Sequence, residues 1–204
     1  MKKLMLVLAL VLVAGSLLAA GCDSSGEGGG EAVRLYPIQD METQAYGFID
    51  ASGKTVIECG FEQAGQFSEG LAPVQKDGLW GYCDTKGELV VTSQYTKAMP
   101  FSEGLGLVGV EEGVSAFVDK KGKVVLRPEM SHVQSFSGGL AAVGADDKYG
   151  FIDTTGKTVV EMRFGSVMPF TEGLAGALQI DAGGGRTWGF IDSTGAWVVE
   201  PGYD

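Results

Sequence analysis

The sequence predicts an all-β chain, a tandem array of five three-stranded antiparallel meanders of about 34 residues each. Three observations lead there. The segment Tyr46-Gly-Phe-Ile-Asp50 returns as Trp80-Gly-Tyr-Cys-Asp84, Ser115-Ala-Phe-Val-Asp119, Tyr149-Gly-Phe-Ile-Asp153 and Trp188-Gly-Phe-Ile-Asp192. Each copy is followed by a glycine, at 53, 87, 122, 156 and 195, in steps of 34, 35, 34 and 39 residues. A second phrase keeps the same beat: Phe67-Ser-Glu-Gly-Leu71, Phe101-Ser-Glu-Gly-Leu105, Phe136-Ser-Gly-Gly-Leu140 and Phe170-Thr-Glu-Gly-Leu174. A period of this size marks a repeat architecture whose units bury their faces by stacking.

One period shows why each element forms. Leu71-Ala-Pro-Val-Gln75 is a short β-rich run, and Asp77-Gly78 supplies a turn that needs positive φ. Leu79–Asp84 is the second strand. Asp84-Thr-Lys-Gly87 is a tight hairpin, the aspartate accepting backbone N–H bonds and the glycine taking the left-handed position. Glu88-Leu-Val-Val-Thr92 is the third strand, and residues 93–104 cross to the next unit. In this frame Arg34–Gln39 is the first strand of unit one, and Trp197–Glu200 is the last strand of unit five. The long fourth step comes from Asp181-Ala-Gly-Gly-Gly-Arg186, which enlarges one hairpin loop. Unit three is degenerate, with Ser115-Ala116 in place of an aromatic and glycine.

Alternation of side chains puts Trp80 and Tyr82 on one face of the second strand and Gly81 and Cys83 on the other. Both faces carry apolar residues, so both are expected to be covered by neighbours or crossing loops. The strand glycines allow another backbone to approach closely, and Phe67, Phe101, Phe136 and Phe170 are placed to plug the gaps between units. Three strands fall short of the usual four-stranded propeller blade. The array is therefore expected to be open and solenoid-like, with a propeller-like ring as the alternative.

The residues before the array read differently. Lys2 and Lys3 precede an unbroken apolar run, Leu4–Ala14, and small residues lead to Leu18-Ala-Ala-Gly21-Cys22. That is the layout of a secretory signal, shorter than a spanning helix. The cysteine after Ala-Gly resembles a bacterial lipoprotein processing site, although Ala19 stands where a branched residue is usual. The resemblance implies a signal peptide at 1–21 and acylation of Cys22, with several acyl chains giving stable anchoring. Residues 23–31, Asp-Ser-Ser-Gly-Glu-Gly-Gly-Gly-Glu, cannot bury apolar surface and predict a flexible tether through residue 32. Residues 33–204 form the repeat domain. In a diderm bacterium, Asp23 after the cysteine resembles an inner-membrane retention signal.

The formal net charge of −11 becomes −13 once Lys2 and Lys3 leave with the signal. Such a balance opposes binding to nucleic acid or anionic lipid.

The recurring aromatic-Gly-Phe-Ile-Asp-x-x-Gly, the apolar strand and the Phe-Ser-Glu-Gly-Leu phrase together resemble the WG-repeat family of bacteria. Trp80-Gly81 and Trp188-Gly189 carry its name, and Pro201-Gly-Tyr-Asp204 fits its Pro-x-Tyr-Asp signature. Cys59, Ser93, Pro128 and Met162 fill the proline slot elsewhere. The resemblance implies repeated β units in secreted or envelope proteins and brings no catalytic residues.

Candidate chemistry is sparse. Asp50, Asp84, Asp119, Asp153 and Asp192 read as hairpin acceptors rather than a calcium ladder, since calcium needs six or more oxygens and each turn offers one carboxylate. Cys59 and Cys83 lie in adjacent units and are either disulfide-bonded or two small buried hydrophobes. Two cysteines with the single His132 make a poor metal site, and the phrase serines have no periodic base to activate them. No catalytic residue, metal site or cofactor is expected, and the chain does not read as an enzyme. The expected role is a protein-binding module in the cell envelope, lipid-anchored on the extracytoplasmic side. The alternatives are a binder of cell-wall glycan or peptidoglycan, with Trp80 and Trp188 as its face, and a structural spacer.

Overall fold

The computed structural model describes residues 34–203; the signal segment, Cys22 and the tether lie outside them. All nineteen elements among the described residues are strands, gathered in five antiparallel sheets that follow one another along the chain. The first sheet is β1 (Tyr36–Gln39), β2 (Tyr46–Ile49) and β3 (Thr55–Phe61). The second is β4 (Gln63–Ala64), β5 (Leu71–Lys76), β6 (Leu79–Asp84) and β7 (Leu89–Tyr95). The third is β8 (Lys97–Ala98), β9 (Gly106–Glu111), β10 (Val114–Val118) and β11 (Val124–Leu126). The fourth is β12 (His132–Ser137), β13 (Leu140–Ala145), β14 (Lys148–Asp153) and β15 (Thr158–Phe164). The fifth is β16 (Ser166–Val167), β17 (Ala175–Ile180), β18 (Arg186–Ile191) and β19 (Trp197–Tyr203).

The array of five units is as the repeats predict, but the strand count is not. Four sheets have a fourth strand, because the end of each crossing pairs with the first strand of the next unit. Ala64 sits opposite Val74, Ala98 opposite Val108, and Val167 opposite Ala177. Residues read as connection thus have backbone partners, as the backbone's hydrogen-bonding groups require. With four strands per sheet, the strand count no longer weighs against a propeller-like arrangement. The first and last sheets share no strand pairing.

The strand glycines do allow a close approach, and the approaching backbone belongs to the same sheet. Trp80 pairs with Tyr95 while Tyr82 pairs with Val91, so two extra residues bulge from β7 opposite Gly81. A Cβ on Gly81 would lie 2.4 Å from the Val91 carbonyl oxygen, and one on Gly150 would lie 2.3 Å from that of Val160. The bulge lets the third strand continue to an aromatic that faces the aromatic of the second: Tyr46 with Phe61, Trp80 with Tyr95, Tyr149 with Phe164, Trp188 with Tyr203. In unit three the glycine slot holds Ala116, and β11 stops after three residues. A methyl group cannot occupy the space that the bulged carbonyl takes in the other units.

Four hydrophobic clusters account for the core, and each lies between consecutive sheets. Leu71, Tyr82, Val91 and Tyr95 of unit two meet Ala98, Phe101, Val108, Ala116 and Val118 of unit three. Leu35, Phe48, Ile57 and Phe61 of unit one meet Ala72, Val74 and Cys83 of unit two. The two faces of β6 therefore serve two different interfaces, with Tyr82 on one and Cys83 on the other. Fully burying a side chain of this size contributes about 1.5–3 kcal/mol, so the stacking of units dominates stability.

Candidate functional site

The crossing phenylalanines do plug the gaps. Phe67 packs on Phe48, Phe101 on Tyr82, Phe136 on Phe117 and Phe170 on Phe151, with ring centroids 4.6–4.8 Å apart. Such tilted and edge-on geometries favour aromatic pairs beyond their buried area. Tyr82 replaces phenylalanine at the equivalent slot, and its hydroxyl donates to the Met99 carbonyl at 2.7 Å. Burial raises the Tyr82 pKa well above its usual value.

The phrase after each phenylalanine is a two-residue turn. Ser68 and Leu71 exchange both backbone hydrogen bonds across Glu69 and Gly70, whose φ values are +52° and +88°. Positive φ at both central positions defines a type I′ turn, in which glutamate is an uncommon occupant. The glutamate side chain also bonds across units. The Glu69 carboxylate accepts the Gly104 N–H, and Glu103 accepts that of Gly139. Burial works against ionisation of Glu69, but the Gly104 N–H and Lys120 outweigh it, and the pKa falls below normal. Alongside runs a hydroxyl ladder. Ser68 donates to the Phe101 carbonyl, Ser102 to that of Phe136, and Ser137 to that of Phe170, at 2.6–2.7 Å. The phrase read as a spacing signal is thus the strap that ties units two to five in succession.

The periodic aspartates are hairpin acceptors. One carboxylate oxygen of Asp50, Asp84, Asp119, Asp153 and Asp192 takes the N–H groups of the second and fourth residues after it. Ser52, Thr155 and Thr194 add hydroxyl donors, and these hydroxyls are the largest cause of the lowered pKa of Asp50, Asp153 and Asp192. Asp181 caps the enlarged loop in the same way through Gly183 and Gly185. From unit two onward the hairpin glycine lies against the preceding unit: Gly87 faces Ile57, Gly122 faces Val91, Gly156 faces Leu126 and Gly195 faces Val160.

Cys59 and Cys83 are free thiols, so the structure holds no disulfide between them and Cys83 takes the small-hydrophobe reading. Cys83 is wholly buried, and burial pushes its pKa up to about 12. Cys59 is half-buried, its pKa raised first by burial and then by the Asp40 charge. His132 is exposed at the start of β12, edge-on to Tyr149 and 3.1 Å from the Gln134 amide. A broad hollow lined by Gly113, Val114 and residues 127–131 lies in the degenerate unit where β11 stops short. Trp80 and Trp188 are both half-buried, and Trp80 packs against the core between units two and three.

The outer face of the fifth unit differs from that of the fourth. In unit four Leu140, Phe151 and Phe164 are 7 %, 0 % and 3 % exposed beneath unit five. Their counterparts in unit five, Leu174, Phe190 and Tyr203, are 36 %, 44 % and 60 % exposed. This open face was not read from the sequence.

A fold of stacked β units, strapped by a repeated turn, defines an all-β tandem-repeat protein. The family model for the WG containing repeat matches residues 46–80, 80–112, 116–149, 149–179 and 188–204, and the chain belongs to this family. No curated protein matches it in sequence. Among solved structures it is similar to a crystal structure of a eukaryotic initiation factor, with 11 % identity and a TM-score of 0.57 over 86 % of this chain and 53 % of that one. The chain spans about half the length of that relative, and the likeness is one of fold. It also matches BamB from Moraxella catarrhalis, with 12 % identity and a TM-score of 0.48 over 83 % of this chain and 58 % of that one. A third match is the computationally designed Ika4 protein, with 19 % identity and a TM-score of 0.42 over 61 % of this chain and 88 % of that one.

Proposed function

We propose that this chain is a bacterial lipoprotein, anchored through acylated Cys22 on the extracytoplasmic side of the membrane, whose array holds a protein partner in the envelope. The observation that carries the binding role is the use of the sheet faces. Each internal face is consumed in stacking, as Tyr82 and Cys83 illustrate, which leaves the repeated turns and strand edges to meet a partner. Array proteins bind on such extended surfaces. The anchor rests on Lys2-Lys3, the Leu4–Ala14 run and Ala20-Gly21-Cys22. A glycan-binding face built on Trp80 and Trp188 has less support, because both are half-buried and Trp80 packs against the core between units two and three.

Two measurements test the reading. Mass spectrometry of the purified protein should find Cys22 as an acylated N-terminus, and Cys22→Ser should release the protein from membranes. An unlipidated N-terminus elsewhere, or a Cys22→Ser protein still fully membrane-bound, removes the anchor. Crosslinking and pull-down from intact envelopes with the native anchor should capture a protein. Capture of wall glycan alone would favour the alternative.

A further inference from the structure

Unit three breaks the repeat inside the array, and the break leaves a hollow. In the other four units an aromatic of the second strand faces an aromatic of the third: Tyr46 with Phe61, Trp80 with Tyr95, Tyr149 with Phe164, Trp188 with Tyr203. Unit three holds Ser115 and Met130 in these two slots; Met130 stands as far after Asp119 as Tyr95 does after Asp84. The register between β10 and β11 ends at Phe117, so Ser115 has no partner residue on that side. Residues 127–130 belong to no strand. Between them and the start of β10 lies an open hollow of about 440 Å³, within the range of about 300–1,000 Å³ usual for binding pockets.

Its walls set the chemistry of an occupant. Val114, Pro128 and Met130 give it an apolar lining, and Met130 also packs against the core between units three and four. A methionine thioether favours contact with rings. Arg127 lines the hollow as well, and a guanidinium stacks on aromatic faces. Glu129 is a third kind of wall, and Glu111 and Glu112 lead into Gly113 on the facing hairpin. All three glutamates are exposed, and none pairs with a cation among the described residues. Three carboxylates against one guanidinium leave the mouth negative.

We propose that this hollow binds an aromatic side chain of a partner polypeptide, carried on an extended segment with basic residues beside the ring. The proposal rests on the protein-binding reading above and names where and by what chemistry the partner is held. The ring takes the place that the Trp80–Tyr95 pair fills in unit two, between Met130 and Arg127, and the flanking cations meet Glu129, Glu111 and Glu112. The partner's backbone runs beside Val114 and Ser115, on the edge that β11 leaves unpaired. The chain's own third strand does not fill the hollow, because pairing there needs the bulge that Ala116 excludes. An added strand in regular register needs no bulge and does not meet that methyl group. Residues 1–33 contain no aromatic residue, so that segment supplies no ring. A second copy, with a formal charge of −11, would bring like charge to a negative mouth.

The test uses the full-length chain in mild detergent and the capped peptide Lys-Val-Trp-Val-Lys, titrated by calorimetry. Saturable binding is expected, weakened about tenfold or more when alanine replaces the peptide's tryptophan. Ser115→Tyr, Ala116→Gly and Met130→Phe together restore the ring pair. This repaired chain should lose the peptide while its melting temperature holds or rises. Glu129→Lys, on the exposed rim, needs no repacking and should weaken the peptide up to about fivefold at low salt, with the difference shrinking at high salt. Absence of saturable binding overturns the proposal. So does equal binding of the alanine peptide, or binding that neither the repaired chain nor Glu129→Lys changes. A dimer of the free chain that the repair dissociates, seen by sedimentation, would assign the hollow to a second copy and overturn it too. Envelope crosslinking keeps the two readings apart. A partner captured equally by the wild type and the repaired chain leaves the binding module standing and sinks the hollow as its site. Failure of the wild type to capture any protein sinks the binding module, and the peptide titration still decides the site.

Discussion

The carboxylate of Glu69 accepts the backbone N–H of Gly104, 35 residues further along the chain, at 3.1 Å. One repeat thus reaches into the turn of the next, and the Ser68 hydroxyl reaches the Phe101 carbonyl beside it. The same pair of links joins Glu103 to Gly139 and Ser102 to Phe136. These links put the coupling between units at one repeated turn, and that is where it should be tested.

Ser102→Ala removes a part-buried hydrogen bond between units and leaves the Phe136 carbonyl without that donor. The expected cost is about 1 kcal/mol. Thr171→Ala, at the equivalent but unlinked position, should leave stability unchanged. Urea melts of both variants measure the difference, and equal midpoints would mean that the hydroxyl ladder does not couple the units.

Gly81→Val and Gly150→Val place a side chain against a bulged carbonyl 2.3–2.4 Å from the new Cβ. Overpacking of about 1–3 kcal/mol is the minimum expectation, because backbone rather than a side chain must move. Gly60→Ala is the control, since nothing lies within 4 Å of a Cβ there. Thermal melts that rank Gly60→Ala beside the valine variants would contradict a tight bulge at these glycines.

Acid should weaken the hairpins. Asp50, Asp153 and Asp192 have folded pKa values below their ordinary value of 3.8, through the hydroxyls of Ser52, Thr155 and Thr194. A depressed folded pKa contributes stability that is fully present above the unfolded value and is lost as pH falls through the folded one. Glu69 adds to this with the same sign. The melting temperature should therefore hold down to about pH 5 and drop below about pH 4. A variant with all three aspartates changed to asparagine should start lower and fall less steeply, and an unchanged slope would exclude these groups as the source.

Thiol access should separate the two cysteines of the array. At pH 8, iodoacetamide should alkylate half-buried Cys59 well before Cys83, whose thiol is buried and has a pKa pushed up to about 12. Cys83 should react only as the chain unfolds. Peptide mapping of a time course reads this directly, and early labelling of Cys83 would mean that the interface between units one and two opens readily.

The sequence by itself determined the number of units, the Asp-x-x-Gly hairpins, and the placing of the crossing phenylalanines between units. All of these follow from local chemistry repeated at a fixed spacing. Period two assigned Tyr82 and Cys83 to opposite faces, and the repeat itself required both faces to be covered. The fourth strand of units two to five was not legible, because a two-residue pairing such as Gln63–Ala64 has no periodicity of its own and exists only when β5 lies beside it. The bulge opposite Gly81 was hidden for a similar reason: the glycine announced a close approach, but only the register between β6 and β7 told which backbone approached. The glutamate of the phrase read as turn composition until the tertiary structure brought Gly104 within reach of its carboxylate. The exposure of Phe190 depends on what stacks against the fifth sheet. Burial belongs to a pair of surfaces, and a sequence read one residue at a time specifies only one of them.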